Sequence, residues 1–285
     1  MSRSFLFVPA DSPRKFERAL QSSADALILD LEDSVSEAAK PQARDTIRQM
    51  LAAPRGDKAV WVRINPLDSG WALDDLRAVV GSRPFGIALP KSRGGADVVR
   101  LAHYLDAFES AADVPPGSVR IMPIATELGQ AMFGLHSYAG SSPRLWALTW
   151  GGEDIAADLG ASVNRRNGRY TEPIRSCRSG CLFAAAAAGV RAIDTVSVEI
   201  DDAELIALES KEAREDGFTG KIAIHPAQLA PINAAFTPDA AELEFARRIV
   251  AVFDANPAVG AFRLDGKMID RPHLRAALRL LGREQ

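Results

Sequence analysis

Two acidic residues follow apolar runs in the middle of the chain, and their type and position suggest a cation site. Glu127 follows the run 121–126, and Asp154 follows the run 145–150 through Gly151, Gly152 and Glu153. If both runs are parallel strands, the two carboxylates lie on one rim of a sheet. Such a pair beside small residues suits Mg²⁺ (or Mn²⁺), a hard ion that leaves positions open for water and substrate oxygens.

Each acid also has a simpler explanation. Glu127 and Asp154 could each open the helix that follows them, because a carboxylate complements the positive end of the helix dipole. That explanation is the more common one for an acid considered alone. The occurrence of both acids at the ends of consecutive strands favours the cation site.

An arginine at the end of another apolar run complements the acid pair. The guanidinium of Arg63 is permanently charged, and its planar fork can hold a carbonyl or carboxylate oxygen on which negative charge develops. Glu32 and Asp33 end the preceding run, and we expect them to support Arg63 by pairing with it. Lys91 ends a further run and could instead form a Schiff base with a ketone, as in metal-independent aldolases.

The elements that would position these groups alternate in type. Eight short apolar runs are separated by helical segments, and they span residues 5–10, 26–33, 59–65, 85–91, 121–126, 145–150, 192–198 and 221–226. Strands buried on both faces and covered by helices predict a TIM (β/α)8 barrel over residues 1–235. A doubly wound open sheet is the alternative, but residues 9–12 lack the glycine-rich phosphate turn of that fold.

Residues 236–285 exceed what a barrel needs. They contain a helical pattern over about 239–253, a hairpin signal at Asp265-Gly266, and a helix after Pro272. We expect a C-terminal helical extension that acts as a lid or contacts another subunit; a plain cap on the barrel is the alternative.

Composition excludes several classes of protein. The formal net charge of −3 over 285 residues provides no broad basic field, which argues against nucleic acid as the main partner. No apolar run reaches membrane-spanning length, and the run 5–9 is too short for a signal peptide, so we expect a cytoplasmic protein with no membrane partner. The two cysteines, Cys177 and Cys181, share a helical face and are expected to be buried thiols.

Several motifs, in order along nearly the whole chain, resemble the citrate lyase β-subunit-like (HpcH/HpaI aldolase) family, which includes malyl-CoA and citramalyl-CoA lyases. The motifs are Phe7-Val8-Pro9-Ala10-Asp11, Ile28-Leu29-Asp30-Leu31-Glu32-Asp33-Ser34-Val35 with Lys40-Pro41 and Arg44, Val62-Arg63-Ile64-Asn65, Leu89-Pro90-Lys91, Trp150-Gly151-Gly152-Glu153-Asp154, Ile224-His225-Pro226 and Gly266-Lys267-Met268-Ile269-Asp270-Arg271-Pro272.

This resemblance implies a Mg²⁺-dependent enzyme that cleaves or forms a carbon-carbon bond in a malyl-, citramalyl- or citryl-CoA-like thioester. By position, Glu127 and Asp154 resemble the family's metal ligands, and Arg63 resembles the arginine that steadies the thioester enolate. Asp270 is similar to the acid or base that enters a neighbouring subunit's site, which implies a homo-oligomer, a trimer or hexamer. Gly152 and Glu153 are expected near the acyl-CoA or oxo-acid substrate.

Coenzyme A, as part of the substrate, would also need cations for its phosphates. Arg14, Lys15 and Arg166 are the candidates, although an ordinary surface charge is the more common explanation for each.

One motif departs from the family. Where the family has Glu-Thr/Ser-x-x-Gly, this chain has Glu127, then Leu128, and Ala131 in place of the glycine. The change bears on the substrate rather than on the metal. It also keeps two alternatives open: a β-type subunit of a citrate lyase complex that acts on a carrier-protein thioester, and a non-catalytic family member.

Overall fold

Apolar strands alternate with helices through Phe236 in the computed structural model, which describes residues 2–282. The strands of this part are β1 (Ser4–Pro9), β2 (Ala26–Asp30), β3 (Ala59–Arg63), β4 (Gly86–Leu89), β5 (Arg120–Pro123), β6 (Ala147–Thr149), β7 (Arg165–Arg166), β8 (Arg169–Tyr170), β9 (Arg191–Ile193) and β10 (Lys221–Ala223). The helices are α1 (Pro13–Leu20), α2 (Lys40–Ala52), α3 (Ala72–Val79), α4 (Gly95–Ala111), α5 (Gly152–Asp158), α6 (Glu172–Ala188), α7 (Ala203–Asp216) and α8 (Leu229–Ala235).

A curled parallel sheet forms the framework of this α/β fold. Six strands pair in the order β10-β1-β2-β3-β4-β5, and β6 pairs with β9. Single parallel bridges join Ile121 to Leu145, Ile124 to Thr149, and Asp194 to Lys221. The eight predicted apolar runs therefore all contain parallel strands or contribute to their pairing, while β7 and β8 form a separate antiparallel hairpin.

Burial on both faces explains why the strands are almost wholly apolar. Along β2, Leu27 and Leu29 pack in the core cluster shared with the helices, whereas Ile28 belongs to the other cluster, in which Trp61 of β3 also lies. Because side chains alternate along a strand, Asp30 and Arg63 project on the same side as Ile28 and Trp61. The charged ends of β2 and β3 thus face the same space.

The segment after β5 differs from the other connections. It contains two short 3₁₀ helices, Gly129–Phe133 and Leu135–Tyr138, and no α-helix before β6. Glu127 therefore opens no α-helix, whereas Asp154 lies in the first turn of α5. The helix-start explanation applies to Asp154 alone.

The chain divides into two compact units after Phe236. The second unit contains α9 (Ala240–Ala255), β11 (Ala261–Leu264), β12 (Lys267–Asp270) and α10 (Arg271–Leu280). Asp265 and Gly266 both have positive φ, as a tight hairpin turn requires, so the predicted hairpin is confirmed. The second unit has its own apolar cluster, which includes Ile249, Phe253 and Ile269.

Two other expectations concern burial and membranes. Cys177 and Cys181 are both buried free thiols on α6, as expected. None of the helices within residues 2–282 is both long and apolar enough to cross a lipid bilayer.

Gly86 provides a test of the sheet packing. A Cβ there would lie 2.3 Å from Cζ3 of Trp61 and 2.7 Å from the carbonyl oxygen of Arg120. Gly86→Ala should therefore lower the free energy of unfolding by about 2–3 kcal/mol in urea titrations. Gly81→Ala is the matched control, because its Cβ would meet only Ala112 at 3.6 Å. Equal effects of the two substitutions would contradict this packing.

Candidate active site

Charged residues gather where consecutive strands of the sheet end. Asp30 and Arg63 are the last residues of β2 and β3, and Lys91 follows β4 closely. Glu127 follows β5, and Asp154 lies in the helical turn after β6. Since parallel strands carry their carboxyl ends to one edge, the sequence brings five charged groups to one rim.

Arg63 is held by three acids and an aromatic ring. Its Nε and Nη2 each donate to a different oxygen of Asp30 at 2.7 Å. Its Nη1 lies 3.0 Å from Glu32 and 4.0 Å from Asp33, and the guanidinium lies 4.6 Å from the ring centre of Phe7. Burial alone would lower the pKa of Arg63, but Asp30 and Glu32 raise it above its usual value. With 12% of the side chain exposed, the guanidinium is permanently charged and fixed.

The Lys91 ammonium lies among four carboxylates. Its Nζ contacts Asp154 and lies 3.4 Å from Glu127, 3.5 Å from Glu32 and 3.9 Å from Asp33. Lys91 has a φ of 52°, a left-handed conformation that costs energy for a non-glycine residue, and its backbone N–H donates to Glu127. The strained backbone conformation thus lets the N–H of Lys91 contact Glu127 while its ammonium group contacts Asp154 and lies near Glu127.

This environment keeps the lysine charged. Burial lowers the pKa of Lys91, but Glu127 and Glu32 outweigh it and raise the pKa above its ordinary value. A Schiff-base lysine needs a neutral amine with a depressed pKa. The surroundings of Lys91 therefore oppose the Schiff-base alternative.

Two of the carboxyl groups hold protons unusually tightly. Burial raises the pKa of Glu127 to about 8, and repulsion from Asp154 and Glu32 adds to it, while Lys91 opposes the shift. Burial likewise raises the pKa of Glu32 to about 7, against the attraction of Arg63 and Lys91. The site contains more acid than its two cationic side chains neutralise.

The donor set fits a hard divalent cation. Carboxylate oxygens of Glu127 and Asp154 converge on one point, the Nζ of Lys91, so both can reach one ion. Within residues 2–282 no group of three or more His, Cys, Asp or Glu side chains is arranged to hold a metal. Two carboxylates with the remaining positions open is the coordination that Mg²⁺ uses with substrates. An added positive charge would also relieve the acid repulsion.

The glycines of the Trp150–Asp154 segment allow close packing. A Cβ on Gly151 would lie 2.8 Å from Cγ of Glu127, and one on Gly152 would lie 3.3 Å from the Trp150 ring. Gly151 therefore permits the buried position of Glu127. The neighbouring Glu153 is exposed and accepts a hydrogen bond of 2.6 Å from Asn164.

The three predicted coenzyme A residues are not drawn into this group of charges. Arg14 and Lys15 are exposed in the first turn of α1, which follows the end of β1, and Arg166 is exposed on β7. Asp270 lies in the second unit at the start of α10, where its carboxylate is 2.6 Å from Nδ1 of His273. The hydrogen bond with His273 lowers the pKa of Asp270, so its carboxylate stays ionised.

Sequence reasoning missed one participant, Asp30, and assigned another, Lys91, a different role. Asp30, rather than Glu32 or Asp33, is the bidentate partner of Arg63, and Lys91 is the common neighbour of the acids. The register of the parallel strands places Asp30 directly opposite Arg63, which is a signal that strand alignment could have found. Its position after an apolar run predicts Lys91 at the rim, but the role predicted for it there is that of a Schiff-base residue.

Two buried side chains fix the loop after β2. The Nζ of Lys40 donates to the carbonyls of Leu31 and Glu32 at 2.9 and 3.0 Å. The amide of Asn65 donates to the Leu31 carbonyl at 3.0 Å and to Asp75 at 2.7 Å. These bonds hold the backbone that presents Glu32 to Arg63.

Residues 3–226 match the family model described as HpcH/HpaI aldolase/citrate lyase. The chain belongs to this family. Among curated relatives, a citrate lyase subunit beta-like protein of Mycobacterium tuberculosis is 35% identical over 280 residues, which cover 98% of this chain and 94% of that protein. A (3S)-malyl-CoA thioesterase of Cereibacter sphaeroides is 33% identical over 289 residues, with 99% and 94% covered.

Two solved structures share the fold. The CitE protein of Mycobacterium tuberculosis, crystallised with magnesium, acetoacetate and coenzyme A, superposes with a TM-score of 0.80 at 34% identity, covering 99% of this chain and 97% of that one. A citrate lyase of Burkholderia xenovorans gives a TM-score of 0.86 at 23% identity over 99% of this chain and 91% of that one, a likeness of fold.

The raised acid pKa values predict how stability depends on pH. Glu127 and Glu32 bind protons more tightly in the folded chain than in the unfolded chain, where glutamate has a pKa of about 4.3. Without metal, the free energy of unfolding should therefore fall as pH rises from about 4.5, up to about pH 7 for Glu32 and about pH 8 for Glu127. Each group contributes up to about 1.4 kcal/mol per pH unit.

Urea unfolding in EDTA between pH 5 and 8 measures this slope. Glu127→Gln removes one of the two groups and should flatten the profile. An identical slope in both proteins would show that Glu127 is not held in its protonated form.

Proposed function

We propose that this protein is a divalent-cation-dependent lyase that cleaves or forms a carbon-carbon bond in a hydroxyacyl-CoA thioester. The observation that carries the proposal is the convergence of Glu127 and Asp154 beside the fixed guanidinium of Arg63. Membership of a family that includes citrate lyase β-type proteins supports it. So does the similar CitE structure, which contains magnesium and coenzyme A.

The proposed scaffold is a closed (β/α)8 barrel with residues 236–285 as a lid-like extension. The parallel bridges from β5 to the β6 region and from Asp194 to Lys221 support closure, because they link the six-stranded sheet to the β6–β9 pair on both sides. In such a barrel the active site lies at the carboxyl ends of the strands. The charged rim occupies that position.

Glu127 and Asp154 would hold the cation. A divalent ion, when bound, supplies Lewis-acid polarisation to the oxygens of a hydroxy or oxo acid. The described carboxylates leave open positions for such oxygens. Lys91, now in contact with Asp154, would have to yield that oxygen to the ion while its backbone N–H continues to orient Glu127.

Arg63 would stabilise the negative charge that cleavage creates. When the bond between Cα and Cβ breaks, its electron pair passes to the thioester fragment and the charge develops on the thioester oxygen as an enolate. Two N–H groups of Arg63 donate to Asp30, and Nη1 lies at ion-pair distance from Glu32. The remaining N–H groups of the guanidinium could donate to that oxygen.

A base must take the hydroxyl proton as the bond breaks, and an acid must return a proton to Cα of the enolate. We assign this proton transfer to Asp270, contributed by a second copy of the chain in a trimer or hexamer. The lowered pKa of Asp270 keeps its carboxylate ionised, which is the form in which it can act as a base. Arg14, Lys15 and Arg166 would bind the phosphates of coenzyme A.

Thioester hydrolysis is a second candidate activity. The match to the relative named (3S)-malyl-CoA thioesterase covers 99% of this chain. This similarity supports thioester hydrolysis as a second candidate. The same enolate-stabilising groups would then serve a lyase step, a hydrolytic step, or both. Product analysis distinguishes the two, because cleavage releases an oxo acid whereas hydrolysis releases free thiol and the intact hydroxy acid.

The direct test incubates the purified protein with Mg²⁺ and malyl-, citramalyl- or citryl-CoA. We expect an oxo acid to form, and Glu127→Gln to lower kcat by at least about 10³-fold because the cation is lost. Glu172→Gln, at an exposed helical acid, is the control and should leave kcat unchanged. Full activity of Glu127→Gln, or of the wild type in EDTA, would refute the metal-dependent mechanism.

The role of Arg63 can be tested separately. Arg63→Lys keeps the charge but loses the planar fork, so we expect kcat to fall about 10²–10³-fold with little change in KM. An increase in KM at unchanged kcat would instead assign Arg63 to substrate binding.

A further inference from the structure

A buried polar cluster outside the active site lies against the end of β6. Asp194, which follows β9, accepts a hydrogen bond of 2.8 Å from the indole Nε1 of Trp150. Its other oxygen accepts from the Nζ of Lys221 at 2.6 Å, and Nε of Arg178 lies 3.6 Å away. Asp194 and Lys221 are 3% and 2% exposed, so this pairing fixes the carboxylate and leaves it little freedom to move.

The ring of Trp150 transmits this anchoring to the active-site turn. It contacts Tyr170 edge-on with ring centres 5.2 Å apart. The backbone of Gly152 packs closely on both rings, since a Cβ there would lie 3.3 Å from Trp150 and 3.5 Å from Tyr170. Gly152 is the first residue of α5, and Asp154 lies two residues further along the same helical turn.

The hairpin that carries Tyr170 is itself anchored. Arg165 pairs with the largely buried Glu209 at 2.5 Å, and its guanidinium carbon lies 3.8 Å from the ring centre of Tyr170. Lys221 lies 3.9 Å from the same glutamate. The cluster therefore fixes Trp150 by its hydrogen bond to Asp194 and packs the ring of Tyr170 against it.

We infer that Trp150 and Asp194 are positioning residues for cation binding, because they lock the turn that presents Asp154. Gly151 is held against Glu127 on one side and Gly152 against Trp150 on the other, so the turn has little room to shift. The inference deepens the proposed function and rests on it for the identity of the bound ion. The anchoring itself is a property of the metal-free chain.

The test compares two tryptophans. Trp150→Phe removes an indole N–H that is hydrogen-bonded to Asp194, whereas Trp61→Phe removes a buried indole N–H that has no hydrogen-bond partner in the structure. Amides 156–159 of α5 bond to the turn that contains Asp154, so their hydrogen exchange reports its order. We expect exchange there to be about tenfold faster in Trp150→Phe and unchanged in Trp61→Phe.

Calorimetric titration with Mg²⁺ gives a second readout on the same proteins. Trp150→Phe should weaken Mg²⁺ binding by about fivefold and lower kcat at subsaturating Mg²⁺, while KM for the thioester stays within about twofold. Should Trp150→Phe fail to fold, Tyr170→Leu on the half-exposed hairpin tests the cover of Gly152 and should change exchange and Mg²⁺ affinity in the same direction.

The outcomes separate the two claims. Unchanged exchange at 156–159 in Trp150→Phe, or equal loosening in Trp61→Phe, would overturn the positioning role. A wild-type protein that binds no Mg²⁺ would refute the proposed function, and the exchange data would still decide whether Trp150 and Asp194 order the turn.

Discussion

The burial of the Glu127 carboxyl group among other acids is the constraint on which this site depends. A buried carboxylate is costly unless positive charge or hydrogen-bond donors compensate it. In the described chain Lys91 provides both, through its backbone N–H and its ammonium group. The compensation is incomplete, since burial and the neighbouring acids still raise the pKa of Glu127 to about 8. An acid site kept short of positive charge is well suited to recruit a metal ion.

The rest of the fold maintains this arrangement. Strand register sets Asp30 opposite Arg63, and Lys40 holds the loop that carries Glu32. The glycine at position 151 lets the turn after β6 approach Glu127 closely. Each element therefore adds one fixed group to a rim that no single element could build. The strained backbone of Lys91 is consistent with a functional site, where such cost is commonly retained.

Much of this could be predicted from the sequence, because it depends on local patterns. The apolar runs identified the parallel strands, and the polar residues that follow them identified Arg63, Glu127 and Asp154 as rim residues. The hairpin at Asp265-Gly266 also follows from local turn chemistry. Family motifs supplied the order of these features along the chain.

The rest depends on contacts between distant residues. Lys91 reaches Asp154 across 63 positions, and Trp150 reaches Asp194 across 44, so neither pairing has a local signal. The 3₁₀ segment after β5 replaced an expected helix. The packing roles of Gly151 and Gly152 likewise depend on tertiary structure, because Gly151 approaches Glu127 and Gly152 approaches Trp150 and Tyr170.

A crystal grown with Mn²⁺ gives the most direct measurement of the central claim. Anomalous scattering should show one strong peak within bonding distance of carboxylate oxygens of both Glu127 and Asp154, with the Lys91 ammonium displaced from Asp154. Ordered carboxylates with Lys91 still between them, and manganese bound only elsewhere, would contradict the account.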